Sequence, residues 1–377
     1  MYGIDIRREL HMHPELGYDL PCTLAIIRRE LEKLGISYSE EYGKSGIVAT
    51  INPDAPGKAL AIRADIDALP IQEINDVPYK SLHEGKMHAC GHDVHTAILL
   101  DTARKLTELK TPLKRRIKLI FQPAEESAGG ARQMVEAGAV DDVSEIIAIH
   151  VNGEPVGTVM FMDGPCNAAC SKVTFDFHGK SAHSSLQSFG ADAIMMAVHT
   201  VTETESYLAK CFPSGAPVVF NCGTIKGGNA ANIIADHCTI TCHMRAWEDA
   251  HLQKLHDAVC EIAKHNAVLY GGEVEIHSSG VNPVLVHDPV ITAHMRKAAA
   301  EIVGKENIRE MKRVMASEDF SFFAKKVPAT MMRLGCGNAE KGFIHSVHTP
   351  NFDIDESGID IGSEIYVRYL LNRMEEE

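Results

Sequence analysis

Three histidines, a cysteine and an aspartate lie together in residues 88–95 of the chain. The segment includes Cys90, His92 and Asp93. Thiolate and imidazole are good ligands for borderline-soft divalent ions, and a cysteine and a histidine two positions apart on an irregular segment can point into one cavity. The spacing predicts a metal site just before a helix that we expect to start near Thr96. The alternative is that a chain with 20 histidines produces this cluster by chance, or uses it to cap the helix.

Two adjacent glutamates, Glu125 and Glu126, follow a strand that is predicted over 117–121. In open α/β sheets, ligands gather outside the carboxyl ends of the strands. Of two adjacent carboxylates at that place, one can bind metal while the other transfers protons. The alternative is a solvated acidic turn.

Two further histidines stand where ligands are expected. His150 ends a strand predicted over 146–150, and His348 lies near the C-terminus. A lone histidine at a strand end is more often a satisfied core residue than a ligand. Taken together, however, four segments offer enough groups to hold two metal ions. These candidate ligands are Cys90, His92, Glu126, His150 and His348.

The remaining cysteines suggest a second, weaker metal hypothesis. The pairs Cys166/Cys170 and Cys238/Cys242 are four residues apart, but neither has the C-x-x-C spacing of a zinc knuckle. Ten cysteines scattered over 377 residues are typical of buried thiols in a reducing compartment.

The elements that must position these groups alternate between helix and strand in the first part of the chain, which indicates an α/β sheet with helices on both faces. A helix is predicted over 23–34. The strand candidates are mostly apolar, as expected of strands that are buried on both faces. They cover 46–51, 59–63, 117–121 and 146–150.

The order of elements changes between about residues 170 and 279. It becomes strand (173–177), helix (191–209), strand (218–225), strand (237–247), helix (249–270) and strand (274–277), which is the order of a ferredoxin-like sandwich. A helix (289–303), a strand (330–334) and a helix (358–373) follow, and with them the chain returns to the alternation of helix and strand seen in its first part. We therefore predict one discontinuous α/β domain, over 1–168 and 280–377, that is interrupted by a smaller α+β domain over 169–279.

The composition excludes several classes of protein. A formal net charge of −14, with no basic stretch, argues against a nucleic-acid partner. No apolar run approaches the roughly 20 residues that span a bilayer, so we expect no membrane association. The N-terminus opens on charged residues rather than on a signal-peptide pattern. We therefore expect a cytoplasmic protein.

The motifs together resemble the amidohydrolase branch of the aminoacylase and carboxypeptidase metallopeptidases, a branch that includes hippurate hydrolase, auxin-conjugate hydrolases and N-acetyldiaminopimelate deacetylase. The resemblance covers nearly the whole chain. The segments that carry it are 7–11, 14–17, 63–70, 88–95, 122–126, 129–131, 317–320 and 348–350.

The resemblance implies a phosphorylase/hydrolase-like, doubly wound catalytic domain with two divalent ions. Cys90 would bridge the ions. His92 and His348 would bind one of them, and Glu126 and His150 the other. Glu125 resembles the general base, which takes a proton from the water that attacks the acyl carbon and delivers a proton to the leaving amine.

The inserted domain resembles the lid and dimerisation domain of this family. His183 occupies the position of a histidine that stabilises the tetrahedral oxyanion, in relatives sometimes across the dimer. Asn232 and Arg245 resemble residues that receive the substrate carboxylate; alternatively they are a turn asparagine and a surface arginine. The residues after His183, and Ala235, depart from the usual pattern, so the resemblance does not identify the substrate.

Two carboxylates complete the predicted site. Asp65 and Asp93 would orient the ligating histidines; the alternative is that they cap turns. Residues 318–320 would shape the pocket indirectly or cap the helix that follows.

The sequence thus predicts a metal-dependent amidohydrolase of small N-acyl amino acids, using zinc, manganese, cobalt or nickel. We expect a homodimer through the lid, with a tetramer as the alternative. A dipeptidase or carboxypeptidase is the main rival, although Cys90 favours the amidohydrolases because the peptidases that resemble them have aspartate there. A non-catalytic metal-binding protein is a further alternative, but such a protein would have no evident use for Glu125 as an unligated base next to a metal. A thiol hydrolase with Cys90 as nucleophile would be insensitive to chelators.

Overall fold

The computed structural model describes residues 2–127 and 129–375. The chain forms two compact units. The larger unit consists of the described residues of Met1–Cys166, Val286–Arg313 and Asp319–Glu377, and the smaller unit consists of Asn167–Leu285 and Val314–Glu318.

The helices of the described residues are α1 (Tyr2–Met12), α2 (Pro21–Lys33), α3 (His92–Thr107), α4 (Gly130–Glu136), α5 (Ala193–Cys211), α6 (Asp249–Leu269), α7 (Pro289–Val303), α8 (Ser321–Lys326) and α9 (Ser357–Glu375). The strands are β1 (Ser37–Ser39), β2 (Ile47–Ile51), β3 (Ala59–Asp65), β4 (Ile117–Gln122), β5 (Val143–Pro155), β6 (Val159–Phe161), β7 (Gly164–Asn167), β8 (Ala169–His178), β9 (Val218–Gly227), β10 (His237–Ala246), β11 (Glu273–Asn282), β12 (Leu285–His287), β13 (Ile308–Glu310) and β14 (Ala329–Gly337).

An eight-stranded mixed sheet forms the centre of the larger unit, in the order β1-β2-β4-β3-β5-β14-β6-β13. Its central strands β4, β3, β5 and β14 are parallel to one another. Every residue of β3 and β4 is buried, because their runs of Ile, Leu and Ala bury both faces. Parallel strands bring their carboxyl ends to one edge, so the residues that end β3 and β4 and the middle of β5 lie at the same edge. The predicted α/β class is confirmed.

Helix α3 is the element that holds the histidine-rich segment, and it is buried almost all round. It packs on β3 and contacts α1 and α9. We expected a helix that starts near Thr96, but this was wrong: α3 begins at His92. Cys90 therefore precedes the helix, and His92 is its first residue.

The smaller unit is built in the order β8-α5-β9-β10-α6-β11, the order of elements that the sequence predicts. Its antiparallel sheet has the strand order β11-β8-β10-β9. Every second residue of β10 is buried, as expected for a sheet with one covered face. Helix α5 starts two residues later than predicted because Asp192 caps it, accepting from the N–H groups of Ile194 and Met195.

Among the described residues, no helix combines the length and the apolar character that crossing a bilayer requires.

Candidate metal centre

The candidate ligands of the larger unit come from separate elements that meet at the carboxyl edge of the sheet. Glu125 and Glu126 follow the end of β4, and His150 lies within β5. Cys90 lies just before α3, and His92 is the first residue of that helix. The structure thus brings together side chains that the sequence separates by up to 258 positions.

Gly91 allows the chain to turn sharply between Cys90 and His92. Its φ is 85°, in the left-handed region, where a side chain is strained. A Cβ at this position would lie 2.4 Å from Cγ2 of Val151 on β5. Glycine is therefore required both for the conformation of the turn and for the close approach of the helix to the sheet.

The candidate metal ligands form two groups that share Cys90. In the first group, Cys90, His92 and His150 place their ligand atoms within 4.8 Å of one another. The Cys90 Sγ lies 3.5 Å from Nε2 of His150. His150 Nδ1 donates to the carbonyl of Val151 at 2.7 Å, so its Nε2 presents a lone pair to the cysteine.

The second group consists of Cys90, Glu126 and His348. His348 Nε2 lies 3.3 Å from the Cys90 Sγ and 3.6 Å from Oε1 of Glu126. These two groups place His150 with His92, and His348 with Glu126, whereas a further group joins His92 to Glu125 and Glu126. The assignment of the ligands to two ions that the resemblance implies therefore stays a prediction. Cys90 is common to both groups, as a bridging ligand must be.

Two buried polar atoms in this pocket have no hydrogen-bond partner. They are Nε2 of His92 and Oε1 of Glu126, which lie 3.8 Å apart. His92 Nδ1 donates to the carbonyl of Asp67 at 2.8 Å, which leaves its Nε2 lone pair free. An orphaned buried acceptor is costly unless something satisfies it. A cation between these atoms would do so, and the donor set therefore fits a metal.

The charges of the pocket are compatible with a bound cation. Burial raises the pKa of the Cys90 thiol far above its usual range, and the neighbouring carboxylates Glu126 and Glu125 raise it further. Burial also raises the pKa of Glu126, against the effect of His92 and His348. Because the thiolate is the form that binds metal, positive charge from bound ions is needed to keep Cys90 deprotonated. A thiol nucleophile at this position has no comparable support.

Asp65 connects the ligand layer to a buried arginine. Burial raises the pKa of Asp65, but the Arg63 guanidinium, with His92 and His95, holds it well below its usual range. Arg63 Nη1 donates to Asp65 at 2.6 Å, and Asp65 Oδ2 lies 3.5 Å from Nε2 of His92. His95 bonds Asp65 through Nδ1 at 2.5 Å and accepts from the Val151 N–H through Nε2 at 2.9 Å. Both His95 nitrogens are used, so His95 supports the site rather than binding metal.

Asp67 fixes the turn that carries the two glutamates. Its carboxylate accepts from the backbone N–H of Glu125 at 3.0 Å and of Glu126 at 3.3 Å. The turn is strained at Ala124, which has a φ of 54°, and the candidate ligand His348, in a separate segment, has a φ of 64°. Such conformations cost roughly 1–3 kcal/mol each and cluster at functional sites. Asp67 was within a motif of the sequence analysis, but its role was not predicted.

Asp93 does not contact a ligating histidine. Its Oδ2 accepts from Arg7 Nε at 2.8 Å and bonds His11 Nδ1 at 2.7 Å. These buried contacts join α3 to α1. The predicted orienting role therefore fits Asp65, whereas Asp93 anchors the helix that carries His92. No sequence signal identified this network, because its partners are more than 80 positions apart.

Asp319 also acts at the base of the pocket. Its carboxylate accepts from Gln122 Nε2 at 2.8 and 2.9 Å and from Arg63 Nη2 at 3.1 Å. It also accepts from the N–H of Ala131 in α4. Helix α8 has no side-chain cap, so Asp319 shapes the pocket indirectly, and the alternative of a helix cap does not hold.

Two candidate residues of the smaller unit, His183 and Asn232, lie on exposed loops. His183 pairs with Ile233 in an isolated bridge, and the Ser184 N–H donates to the carbonyl of Asn232 at 3.0 Å. His183 Nδ1 accepts from the backbone N–H of Ser185 at 3.2 Å, so its Nε2 carries the proton. The structure therefore places His183 and Asn232 side by side, with an outward N–H donor on the histidine.

Arg245 lies at the other end of the same sheet. The loop with Asn232 leads into β10 at His237, and Arg245 is near the end of that strand. Eight residues of extended strand span about 27 Å. One Arg245 N–H binds the carbonyl of Met315. Within one smaller unit, Asn232 and Arg245 therefore do not meet.

The structure offers no support, within the residues that it describes, for a metal site at the pairs Cys166/Cys170 and Cys238/Cys242. None of the groups of potential ligands found among the described residues includes Cys166, Cys170, Cys238 or Cys242. Cys166 instead contacts a buried histidine, with its Sγ 3.2 Å from Nε2 of His287.

Known proteins resemble the chain along almost its whole length. A family model for Peptidase family M20/M25/M40 matches residues 61–372. Thermostable carboxypeptidase 2 of Saccharolobus solfataricus is 34% identical over 96% of this chain and 92% of its own. IAA-amino acid hydrolase ILR1-like 4 of Arabidopsis thaliana is 32% identical over 98% and 86%. N-acetyl-L-cysteine deacetylase of Bacillus subtilis is 33% identical over 94% and 84%.

Solved structures agree with this relationship. An aminohydrolase from methicillin-resistant Staphylococcus aureus superposes with a TM-score of 0.91 at 31% identity, covering 99% of this chain and 96% of its own. The Bacillus subtilis YXEP protein, a dinuclear metal binding peptidase from the M20 family, gives 0.81 at 30% identity, covering 99% and 98%. The chain accordingly belongs to Peptidase family M20/M25/M40 and is a metal-dependent hydrolase that acts on amide bonds.

Proposed function

We propose that the chain hydrolyses the amide bond of N-acyl amino acids, with two divalent ions bound at the metal centre. The observation that carries this proposal is the pair of ligand groups that share the buried Cys90, with a carboxylate oxygen of Glu125 within 4.8 Å of His92 and Glu126. The deacetylase and the auxin-conjugate hydrolase among its relatives support this class of substrate.

Cys90, His92 and His150 would hold one ion, and Cys90, Glu126 and His348 the other. When bound, the ions would polarise the substrate carbonyl and acidify water. The mixture of thiolate, imidazole and carboxylate suits zinc, manganese, cobalt or nickel.

Glu125 is the proposed general base. Asp67 accepts from the backbone N–H of Glu125, which holds the Glu125 side chain near the pocket. The two ligand groups that share Cys90 do not include Glu125, so its carboxylate is left to act as a base. It takes the proton of the attacking water as the C–O bond forms, and it gives that proton to the amine as the C–N bond breaks.

His183 is proposed to donate its Nε2 proton to the oxyanion, and Asn232 and Arg245 are proposed to bind the substrate carboxylate. Because about 27 Å of β10 separates Arg245 from His237, where the loop that carries Asn232 enters the strand, we propose that one copy of the smaller unit does not bring both residues to one substrate. We therefore propose a homodimer in which a second copy supplies His183 and Asn232. Light scattering of the purified protein distinguishes this dimer from a monomer or a tetramer.

The compartment is a separate proposal. None of the ten cysteines forms a disulfide, and thiols persist in reducing compartments. This supports a cytoplasmic location, which fractionation of the source cells would test.

A peptidase acting on short peptides is the second candidate, favoured by the carboxypeptidase among the relatives. The substrate of such a peptidase would differ from an N-acyl amino acid only on the acyl side of the scissile bond, where it has an amino acid residue instead of a simple acyl group. The choice between the two is therefore a matter of relative kcat/KM rather than of mechanism.

The test is metal analysis together with hydrolysis of a panel of N-acetyl, N-benzoyl and longer N-acyl amino acids, with dipeptides alongside. It compares the wild type with Glu125→Ala and with the isosteric Glu125→Gln. We expect two ions per chain in all three proteins, and a loss of roughly 10²–10⁴-fold in kcat for both variants. Preference for dipeptides would move the protein to the second candidate. Bound metal without turnover of either class would overturn the proposed function.

A further inference from the structure

Two cysteines of the smaller unit lie directly opposite each other on neighbouring strands of its sheet. Cys222 on β9 is the register partner of Cys242 on β10. Residues that are directly opposite on an antiparallel pair point to the same face, and both cysteines pack with the apolar core that α5 and α6 cover. We call these two residues the thiol pair.

The register brings the thiol pair within reach of a disulfide bond. Opposite residues of antiparallel strands have Cα atoms about 4.5 or 5.5 Å apart, depending on whether the two residues exchange backbone hydrogen bonds. Disulfides join residues whose Cα atoms are about 4.4–6.8 Å apart. Either kind of pairing therefore allows an S–S bond between Cys222 and Cys242 without a large movement of the backbone.

A β-bulge beside the thiol pair gives the strand room to adjust. Thr241 lies opposite Thr224, whereas the next residue, Cys242, lies opposite Cys222, so Gly223 is left out of the register. A bulge disrupts the ladder and bends the strand locally. In addition, β9 is the last strand in the order of this sheet. The segment that carries Cys222 can therefore shift by the small distance that an S–S bond requires.

The two thiols differ in their exposure to solvent. Cys242 is fully buried between Ile240 and Met244 on β10, whereas Cys222 is half-buried. Burial raises the pKa of the Cys242 thiol far above its usual range, and the neighbouring Cys222 raises it further. A small oxidant from solvent therefore meets Cys222 first, and Cys242 is placed to react with the oxidised Cys222 rather than with the oxidant itself.

We propose that the thiol pair is a reversible redox site, at which a hydroperoxide converts the two thiols into a cross-strand disulfide. The Cys222 thiolate attacks one peroxide oxygen, the O–O bond breaks, and Cys222 becomes a sulfenic acid as water or an alcohol leaves. The Cys242 sulfur then attacks the Cys222 sulfur, and the S–O bond breaks as the S–S bond forms. The hydroxide takes the Cys242 proton and leaves as water. Two electrons pass from the sulfurs to the peroxide, and a dithiol reductant restores both thiols.

The disulfide joins the edge strand β9 to β10 and closes a loop over 222–242. A covalent cross-link removes conformational freedom from the loop that it closes. That loop includes the exposed segment around Asn232, whose ends are then fixed to each other. Formation of the bond does not depend on the role proposed for Asn232, so a measurement of thiols tests it independently of hydrolytic activity.

The test treats the full-length protein, prepared with zinc because zinc has no redox chemistry, with one equivalent of hydrogen peroxide. Free thiols are then counted after denaturation. The variant Cys222→Ser is compared with the wild type and with Cys211→Ser, a matched control that removes an exposed thiol of the same unit. The wild type and the control should each lose two thiols per chain and regain them with dithiothreitol, whereas Cys222→Ser should keep all its thiols.

A second measurement locates the bond and does not depend on a variant. Trypsin separates residues 211–226 from residues 227–245, and each of these peptides contains two cysteines. Tandem mass spectrometry of the oxidised wild type, digested without reduction, should find the peptides joined through Cys222 and Cys242. A bond between any other cysteines, or thiol loss that dithiothreitol does not reverse, would overturn the proposal. A wild type that keeps all its thiols, or equal reversible loss in Cys222→Ser, would do the same.

Discussion

The metal centre of the larger unit and the His183 segment of the smaller unit differ in how their residues are held. Cys90 is 7% exposed and His92 is 1% exposed, and each is fixed by a buried element and a second layer of partners. His183 is exposed, on a loop held by one bridge to Ile233 and by Ser185. Buried contacts fix the side chains of the metal centre, whereas few contacts fix the position of His183.

This difference predicts where substitutions act. Changes in the buried centre alter metal binding and chemistry together, because ligand, base and support share one network. Changes on the exposed loop leave the metal in place and alter only the stabilisation of the substrate. Metal removal and single substitutions can therefore test that separation.

Removal of metal should abolish activity completely. After dialysis against a chelator, we expect no amide hydrolysis, with recovery on adding back divalent ions, because Cys90 and Glu126 lose the charge that they require. Atomic absorption measures the bound metal, and a substrate assay measures the rate of amide hydrolysis. Hydrolysis that survives chelation but is stopped by a thiol reagent would contradict the metal mechanism and favour Cys90 as a nucleophile.

His183→Ala should lower kcat roughly 10²–10³-fold, since it removes the proposed donor to the oxyanion. KM and metal content should change little, which separates this residue from the buried centre. His265→Ala, a substitution of an exposed histidine in the same unit, is the control. Loss of bound metal in the His183 variant would show that the two regions are not independent.

Acidification should destabilise the larger unit through His287. Burial lowers the pKa of His287 to about 4, although its bond to the Met162 carbonyl opposes this. Between about pH 6.5 and 4 the unfolded chain therefore binds more protons at this residue than the folded chain, and stability is lost as the pH falls. From pH 7.5 to 5 the loss is about 2 kcal/mol.

Urea unfolding at the two pH values measures this loss as the difference between the wild type and His287→Gln, whose side chain does not titrate. His265→Gln provides the exposed comparison and should keep the pH dependence of the wild type. The same pH dependence in all three proteins would show that His287 is not the group responsible.

Asp67→Asn should reduce activity about 10–100-fold, as expected for a residue that orients metal ligands. The amide keeps one acceptor oxygen, which is uncharged, and has an NH2 donor in place of the other, so one of the two N–H groups of Glu125 and Glu126 loses its acceptor. We expect weaker metal binding as well, measured by competition with a chromogenic chelator. Asp141→Asn, at an exposed aspartate of the same unit, should be neutral; an unchanged Asp67 variant would remove this residue from the site.

Ser185→Ala should have the smallest effect, a loss of about threefold to tenfold in kcat. It removes the hydroxyl 2.8 Å from His183 Nδ1 but leaves the backbone N–H that sets the tautomer. Steady-state kinetics of this variant, beside His183→Ala, measure how much orientation matters on an exposed loop. A loss as large as that of His183→Ala would indicate that the loop is as strictly ordered as the metal centre.

The sequence predicts most of the fold because local patterns specify it. The apolar runs of β3 and β4, and the alternation along β10, give the class and the order of elements. Boundaries were less accurate where a single residue decides them, as Gly91 does for α3 and Asp192 for α5. These residues act through backbone geometry that hydrophobic periodicity does not register.

The candidate ligands were predictable because few residue types bind such ions. Which of them share an ion stays a prediction, since it depends on how α3 packs against the sheet, and local sequence patterns do not specify that contact. Supporting residues such as Asp67 and Arg7 were also missed, because their partners lie far away in the sequence. The distance between Asn232 and Arg245 follows only from the length and direction of β10.

Gly91 has a consequence for how this chain tolerates variation. A side chain there would have to displace Val151 of β5 and force the turn out of its left-handed conformation. Cys90 and His92 would move with it, so a single methyl group would disturb both ion positions at once. In a complete survey of single substitutions, Gly91 should rank with the ligands themselves, although it contributes no atom to the chemistry.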